Sequence, residues 1–516
     1  MSNKKFSKKL LAAAMATAMA ATMLAGCGDK TTTTTPDSSA AATTADSSAA
    51  ASTEAPKGDP VEITIFRDSF NLNAPDQGEV DAVVAAINEY IKDKINVKIS
   101  GMTDVGNLEF PDKANLALSN GEINLLWTAS WTGAVKTDEL IKGNACYDFS
   151  DLLPGTALYS AVPAWVWDAC KYDGKDYFVS CYKESAEGYN LMFRQDLVDK
   201  YGWDLSTVKS YKDIEPMLAD CKSEGLKYPY LTQRTALFYR WYMNDFDFFS
   251  QDCLVAVDRA TDTVVNPMIT TQYKEFVTTM CDWGQKGYIS EDDATKTTPE
   301  AVTSTQDWGI SFWTDVPDNS GAESRYTQKV AMAQVTDDWS HSNSALGSCF
   351  TIASTCTEEQ AKACIEFLGL LYTDKTLADL YTYGIEGVDY DRDDAGKIVK
   401  KGELYSHDAW ESCSQWCVSL TATQSDNLLE MYSDFNDNAK ASSAAGFRFT
   451  KAPVDAEYVA CTNVFAEYGY MLENGANAPD EVEAKLAKFQ SALDEAGYQK
   501  ILAEAQSQYE AWKATK

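Results

Sequence analysis

Strand-type and helix-type hydrophobic patterns alternate after residue 60, and their order is the feature that most restricts the fold. Residues 61–66 alternate between apolar and polar side chains, as a half-buried strand does. Apolar residues then recur at helical spacing: Val80, Val83, Val84, Ile87 and Ile91. Two more strand patterns, residues 95–99 and 123–127, enclose a second helix pattern that ends before Gly121. This order of strands and helices predicts an α/β fold with a parallel sheet covered by helices.

The loops after the first and third predicted strands are the first candidate binding segments. Ligands of such sheets bind beyond the carboxyl ends of the strands, which points to residues 67–73 and 128–133. These loops contain polar residues that suit the hydroxyl groups of a ligand: Asp68, Ser69, Asn71 and Ser130. Each residue taken alone is also of a type that is common on a solvated surface.

The N-terminus has the features of a bacterial export signal. Lysines come first, at Lys4, Lys5, Lys8 and Lys9. The apolar run that follows, Leu10 to Leu24, is too short for a comfortable membrane span. It ends in Leu24-Ala25-Gly26-Cys27, which resembles the lipobox, where the cysteine is lipidated and becomes the mature N-terminus. We therefore interpret residues 1–26 as a signal peptide and Cys27 as a lipid anchor that carries acyl chains such as palmitate.

Composition separates a linker from the globular part. Within residues 27–60, Thr31 to Pro60 is almost wholly Thr, Ser, Ala, Asp and Pro, which predicts a disordered linker. The remaining residues, 61–516, are too many for one core and predict two lobes. The net charge is −33, and removal of residues 1–26, with four lysines and no acid, makes the chain more negative. Nucleic acid, anionic membrane surfaces and polyanionic substrates are therefore poor partners.

Twelve cysteines follow Cys27, in a compartment that permits disulfides. Several lie among apolar residues at helical spacing, where free cysteine behaves as a small hydrophobe: Cys170, Cys221, Cys281 and Cys364. Paired and unpaired states both remain open. Cys413 and Cys417 have the spacing of zinc ligands, but the chain has only two histidines, His341 and His407, so we expect no metal site and no cofactor.

Four stretches, in this order, resemble the family 1 extracellular solute-binding proteins of ABC importers, the group that contains maltodextrin receptors. They are Gly188–Leu197, Ala363–Asp374, Tyr383–Tyr390 and Ala496–Trp512. The last two are similar to large lipid-anchored receptors, several of which bind oligosaccharides. The resemblance implies a two-lobed, periplasmic-binding-protein-like (Venus-flytrap) fold with three crossings between the lobes.

The resemblance also implies boundaries for the two lobes. The crossings are expected near Lys183–Gly188, Tyr326–Val335 and Gly384–Tyr390. Lobe 1 would then contain residues 61–185 and 330–385, and lobe 2 residues 186–329 and 386–516. The C-terminal helices are expected to return to lobe 2.

Tryptophan is the expected sugar-binding residue, because the apolar face of a sugar stacks well on an indole ring. The resemblance places Trp127 and Trp131 at a stacking position, Trp313 before the second crossing and Trp416 after the third. Glu187 is a further polar candidate. For each tryptophan, a role in the core is the alternative.

The resemblance implies a monomeric receptor, lipid-anchored at the extracytoplasmic face of the membrane, and not an enzyme. It would capture a solute, with a neutral oligosaccharide favoured, and deliver it to the permease subunits of an ABC importer. Two alternatives remain from the sequence. One is a cell-surface glycoside hydrolase, which would need two carboxylates about 5–10 Å apart. The other is the same receptor fold binding a peptide.

We expect the substitution Cys27→Ser to release the protein from membranes into the medium, because the sulfur that carries the acyl chains is lost. Incorporation of labelled palmitate should be lost as well, and membrane fractionation without detergent measures the release. Cys417→Ser, which changes a cysteine far from the motif, should stay with the membranes. Retention of the Cys27→Ser protein after detergent-free washing would contradict the anchor.

Overall fold

The computed structural model of the protein describes residues 58–70, 75–250, 254–295, 305–340, 344–402, 405 and 407–516. The predicted signal peptide, Cys27 and most of the linker lie outside the described residues, as does Asn71. Within the described residues, no helix has both the length and the apolar character that a membrane span requires.

The strands of the described residues are short, and most belong to two larger sheets. In chain order they are β1 (Val61–Asp68), β2 (Val97–Val105), β3 (Leu125–Thr128), β4 (Phe178–Ser180), β5 (Tyr189–Arg194), β6 (Tyr228–Tyr230), β7 (Phe246–Phe248), β8 (Ala256–Asp258), β9 (Thr263–Val265), β10 (Trp308–Thr314), β11 (Val330–Gln334), β12 (Trp339–Ser340), β13 (Cys349–Ile352), β14 (Tyr390–Arg392), β15 (Ile398–Lys400) and β16 (Lys440–Ala441).

Helices connect these strands and cover the sheets. In the described residues they are Gln77–Ile91, Phe110–Ser119, Thr137–Lys142, Ala157–Ala161, Ala164–Cys170, Gln195–Tyr201, Glu215–Ser223, Phe238–Trp241, Thr271–Gln285, Glu291–Thr295, Ser320–Tyr326, Glu358–Leu371, Lys375–Tyr383, Ala409–Ser412, Leu428–Asn438, Asp455–Val464, Tyr470–Glu473, Val482–Glu495 and Tyr498–Lys513.

The sheet of lobe 1 has the order β2-β1-β3-β13-β4. Strand β1 pairs in parallel with β2 and β3, which confirms the parallel arrangement predicted for the first three strands. Strand β13, which comes much later in the chain, is antiparallel to both β3 and β4. The first helix begins after Asp76, whose carboxylate accepts a hydrogen bond from the Gly78 amide, and it buries the predicted apolar residues Val80, Val83, Ile87 and Ile91.

The sheet of lobe 2 has the order β11-β5-β10-β6. Strand β5 is antiparallel to β10 and β11, and β10 is parallel to β6. One face packs in a core that includes Tyr498, Ile501 and Tyr509 of the last helix, which confirms that the C-terminus returns to lobe 2. The other face holds a smaller cluster with Trp308 and Tyr326.

Two of the predicted lobe boundaries are wrong. Residues 330–340 belong to lobe 2, because β11 forms the edge of its sheet by pairing with β5. Residues 386–418 belong to lobe 1, because Tyr390, Ile398 and Val418 are buried in its core. The chain therefore makes its second crossing after Trp339 and before Ala345, and its third between residues 418 and 444.

The crossing segments are hydrogen-bonded to one another. The Glu187 amide donates to the Trp339 carbonyl at 2.9 Å, and the Trp339 amide donates to the Glu187 carbonyl at 2.8 Å. Strand β12 then pairs in parallel with β16. Asn436 accepts a hydrogen bond from the Ser185 amide at 2.6 Å and donates to the Lys183 carbonyl at 3.0 Å. The three crossings thus form one connected hinge region.

Ten cysteines of the described residues have free thiols: Cys146, Cys170, Cys181, Cys221, Cys281, Cys349, Cys356, Cys364, Cys413 and Cys417. All of them except Cys417 are buried. Burial raises the pKa of the Cys146, Cys170 and Cys181 thiols to about 12. These thiols are therefore protonated packing residues rather than reactive groups.

A buried polar network fixes the segment around residue 407 to the first strands. Arg67 at the end of β1 donates two hydrogen bonds to Asp104 of β2, from Nε to Oδ1 and from Nη2 to Oδ2, each at 2.8 Å. His407 contacts Asp104 Oδ2 through Nε2 at 2.8 Å and Glu411 Oε1 through Nδ1 at 3.1 Å. The network holds helix Ala409–Ser412, and with it Trp410, against the carboxyl end of β1.

Charge controls the protonation of this network. Burial alone would raise the pKa of Asp104, but Arg67 and His407 outweigh burial and hold that pKa well below its usual range. Burial and Arg67 disfavour the imidazolium of His407, yet Asp104 and Glu411 raise its pKa above the ordinary value. The ionised forms of Asp104 and His407 therefore stabilise each other.

We expect Asp104→Asn to lower the free energy of unfolding by about 3–5 kcal/mol, because Arg67 and His407 would lose the charge that compensates their burial. Urea denaturation at pH 6 measures the loss. Because the folded-state pKa of Asp104 is lowered, its stabilisation is present above the unfolded pKa of about 3.9 and is lost as the pH falls below it. The difference from the unmodified protein should therefore shrink below about pH 4.

Glu109→Gln is a matched control. It breaks an exposed ion pair of similar length, 2.6 Å between Lys113 Nζ and Glu109 Oε2, and should cost about 0.5 kcal/mol or less. Equal losses for the two variants would mean that the buried network contributes no more than a surface pair.

Candidate functional site

A cavity of about 510 Å³ lies between the two lobes, next to the hinge region. Its volume falls in the range of roughly 300–1,000 Å³ that is usual for small-molecule sites. Lobe 1 lines it with Ser130, Trp131, Gly133, Lys136, Asp138, Ser344, Gly347 and Trp410. The first crossing contributes Lys183, Glu184, Ser185, Ala186 and Glu187. Lobe 2 lines it with Tyr189, Tyr239, Met243, Asp247, Phe248, Phe249, Ser250, Thr314, Lys451 and Thr462.

Two indole rings form the aromatic surface of lobe 1 in the cavity. Trp131 follows β3 and is 42% exposed, and its Nε1 donates to the Gly347 carbonyl at 2.9 Å. The ring of Trp410 lies 6.5 Å from that of Trp131, with 33° between the planes. Phe70 packs behind both rings, 4.7 Å from Trp410 and 6.1 Å from Trp131. The two rings are thereby held in place for stacking on a ligand.

The opposite wall, from lobe 2, is also aromatic. Tyr239 lies 5.8 Å from Tyr189 and 6.2 Å from Phe248, in edge-to-face contacts. The Arg240 guanidinium lies 4.5 Å from the centre of the Tyr239 ring. Tyr189 donates from its hydroxyl to Glu187 Oε1 at 2.6 Å, which ties this wall to the first crossing. A ligand in the cavity therefore meets aromatic rings from both lobes.

Several charged side chains in the cavity are paired with opposite charges. Lys183 Nζ lies 2.9 Å from Glu184 Oε1, and Lys451 Nζ lies 3.2 Å from Asp138 Oδ2. Arg259 Nη1 lies 3.6 Å from Asp247 Oδ2. Burial would raise the pKa of Asp138, but Lys451 and the Tyr172 hydroxyl lower it below the ordinary value. The cavity thus combines aromatic faces with polar groups whose charges are locally balanced.

Three of the predicted site residues line this cavity: Ser130, Trp131 and Glu187. Trp127 does not, because it is 1% exposed and its Nε1 donates to Ser348 Oγ in the core. Asp68 and Ser69 are also buried and serve the loop itself. Asp68 Oδ1 accepts from the Phe70 amide at 2.8 Å, and Ser69 Oγ donates to the Val105 carbonyl at 3.0 Å.

The structure places the two remaining predicted tryptophans outside the cavity. Successive residues of β10 point to opposite faces of the sheet, so Thr314 lines the cavity while Trp313 packs on the far face, 5.9 Å from Tyr326. Trp416 stacks on Tyr182 at 4.3 Å, with 14° between the rings, and its Nε1 donates to Ser433. Trp416 therefore supports the hinge region rather than the ligand wall.

Sequence reasoning missed Trp410, Tyr239 and Lys451. The capping box formed by Asp408 and Glu411 marks the start of the helix that carries Trp410, but it does not show where that helix packs. Tyr239 lies in a run of aromatic residues, 238–242, whose pattern does not show which ring faces a cavity and which belongs to the core. Among the described residues, no group of His, Cys, Asp and Glu side chains is arranged to hold a metal ion.

Comparison with known proteins finds similarity to transport proteins. A family model described as a domain of unknown function, DUF3502, matches residues 443–514. A carbohydrate ABC transporter substrate-binding protein from Streptococcus pneumoniae serotype 4 is 25% identical over 448 residues, which cover 84% of this chain and 88% of that protein.

Solved structures share the fold over nearly the same length. The N-glycan transport solute binding protein NgtS from Streptococcus pneumoniae superposes with a TM-score of 0.75 at 23% identity, covering 89% of this chain and 100% of that one. The same protein in complex with Man5GlcNAc gives a TM-score of 0.69 at 22% identity, with coverage of 89% and 99%.

The protein therefore has the two-lobed α/β fold of ABC-transporter solute-binding proteins, and its similarity to a sequence relative along most of the chain confirms the predicted resemblance to that group.

Proposed function

We propose that the protein is an extracytoplasmic receptor that captures a neutral oligosaccharide between its lobes and delivers it to the permease subunits of an ABC importer. The observation that carries this proposal is the cavity with aromatic rings on both walls, Trp131 and Trp410 on one side and Tyr239 and Phe248 on the other. Sugar rings have apolar faces that stack on such side chains and hydroxyl groups that bind the polar residues between them.

The charge of the cavity favours an uncharged ligand. Asp138 and Lys451 compensate each other, as do Lys183 and Glu184, so an ionic ligand would have to replace existing pairs. The net charge of −33 disfavours polyanionic sugars further. A peptide remains the second candidate ligand, and a screen that includes peptides separates the two.

A glycoside hydrolase fits the cavity less well than a receptor does. Such an enzyme needs a general acid with a raised pKa beside the scissile bond. Asp138 has the opposite shift, because Lys451 and Tyr172 outweigh its burial. Burial does raise the pKa of Asp68 and Glu473 to about 7, but both lie in the protein interior outside the cavity.

The two-lobed architecture suggests how a ligand would be held. A ligand touches both walls only when the lobes are close together, so it should bind the closed form better and shift the population toward it. The hinge region of three hydrogen-bonded crossings is the part that would absorb this motion.

Attachment at Cys27 and a monomeric state complete the proposal. The lipobox-like motif supports a lipid anchor at the outer face of the membrane, and residues 27–60 would serve as a tether that lets the receptor reach its permease. A receptor of this kind acts as a single chain, because both walls of its cavity come from the same polypeptide.

We expect Trp410→Ala and Trp131→Ala each to weaken oligosaccharide binding roughly two- to tenfold, because each removes one stacking ring. A thermal-shift screen of neutral oligosaccharides and peptides identifies a ligand first, and isothermal titration then measures the dissociation constants. Trp313→Ala is the control, since Trp313 lies on the far face of the lobe 2 sheet and its loss should leave affinity unchanged. Normal binding by both cavity variants would exclude this wall as the site.

We expect binding without turnover. Prolonged incubation of a bound oligosaccharide with the protein should return it intact, since each carboxylate that lines the cavity already has a partner. Asp138 pairs with Lys451, Glu184 with Lys183 and Asp247 with Arg259, and Glu187 accepts a hydrogen bond from Tyr189. Chromatography of the sugar after incubation measures this. Shorter sugars in excess of the protein concentration would establish the hydrolase instead.

A further inference from the structure

One short segment of lobe 2, residues 448–455, contacts lobe 1 beside the cavity. It follows the core residue Phe447, contains the core residue Phe449 and ends at the first residue of helix Asp455–Val464, so its backbone belongs to lobe 2. Its side chains reach helices Thr137–Lys142 and Ala164–Cys170 and the turn that follows the second of these. The segment lies inside the region matched by the domain of unknown function, residues 443–514.

Arg448 makes the most extensive of these contacts. Its Nε donates to the Lys171 carbonyl at 3.1 Å, and its Nη2 donates to the Ala169 carbonyl. The guanidinium also lies 4.6 Å from the centre of the Tyr172 ring. Tyr172 in turn donates from its hydroxyl to Asp138 Oδ1 at 2.7 Å. Arg448 thus contacts Tyr172 of lobe 1, which is hydrogen-bonded to a residue of the cavity lining.

Two ion pairs flank Arg448. Lys451 Nζ lies 3.2 Å from Asp138 Oδ2, and both residues line the cavity. Lys142 Nζ lies 2.6 Å from Asp455 Oδ1, and neither of these residues lines the cavity. Both pairs join the lobes, so both must break when the lobes separate.

We propose that residues 448–455 form a latch that holds the lobes together and so sets the affinity of the cavity for its ligand. Arg448, Lys142 and Asp455 are positioning residues that do not touch the ligand. They act by keeping the two aromatic walls close enough to contact it at once. The latch gives the first part of the C-terminal region a role in lobe closure. Its effect on affinity rests on the proposed function, whereas its effect on the distance between the lobes does not.

The physical reason is a shift in population. Each latch contact exists only when the lobes are close, so it stabilises the closed form relative to the open one. A ligand that binds the closed form gains apparent affinity in proportion to the fraction of protein that is already closed. Breaking one contact lowers that fraction and weakens binding from a distance.

The pair Lys142–Asp455 gives the sharpest test, because its side chains are 43% and 41% exposed and their exchange should not disturb folding. Lys142→Asp and Asp455→Lys each place like charges across the gap, whereas the double variant restores the pair with reversed polarity. We expect each single variant to have a larger radius of gyration without ligand than the unmodified protein, and the double variant to return to the original value. Small-angle X-ray scattering at low salt measures this.

Binding provides the second measurement. With Man5GlcNAc as the probe, each single variant should bind roughly two- to fivefold more weakly than the unmodified protein, and the double variant should recover the affinity. The same exchange in the pair Lys98–Glu62, 2.7 Å apart and within lobe 1, is the control and should change neither measurement.

The outcomes separate the latch from the proposed function. If the unmodified protein binds no sugar, the oligosaccharide proposal fails, while the scattering data still test the latch. Single variants with unchanged scattering would overturn the latch. A double variant that does not recover would also overturn it, because the effect would then be local to the changed residues.

Discussion

The hydrogen bonds between the crossing segments are the constraint on which the rest of the structure depends. Glu187 and Trp339 pair through their backbones, and the strand that contains Trp339 pairs with Lys440 and Ala441. These bonds bring the three passages of the chain between the lobes side by side. The two lobes therefore meet along one edge, and residues of both line the cavity next to it.

The position of the cavity follows from the direction of the first strands. The carboxyl ends of β1 and β3 meet at one edge of the lobe 1 sheet, and the loops that leave this edge place Phe70 and Trp131 together. The buried contacts among Arg67, Asp104 and His407 then bring a distant segment to the same edge and add Trp410 to the wall. The charged network in the core of lobe 1 thus positions part of the aromatic surface of the cavity.

The C-terminal region has two structural roles in this protein. Its helices complete the core of lobe 2 through residues such as Tyr498 and Tyr509. Its first segment reaches across to lobe 1 through Arg448, Lys451 and Asp455. A region that packs on one lobe and contacts the other is well placed to couple lobe movement to the occupancy of the cavity.

Local pattern in the sequence determined much of the fold and only part of the site. Alternation and helical spacing were sufficient for β1, β3 and the helix with Val80 and Ile87, because such periodicity reflects which face of an element is buried. The loop after β3 could be named as a binding segment for the same reason, and Ser130 and Trp131 line the cavity. The lipobox-like end at Cys27 is likewise a local motif.

Only tertiary packing determines which of the other candidate residues line the cavity and which belong to the core. Trp127 and Trp131 are both tryptophans at the end of one strand, yet one is enclosed by Phe70 and Phe110 and the other faces the cavity. Trp313 and Thr314 lie on opposite faces of the sheet because they are consecutive residues of β10. The lobe to which β11 belongs depends on its pairing with β5, more than one hundred residues earlier. Contacts between residues this far apart carry no local signal, so only the folded chain determines which side chains form the site.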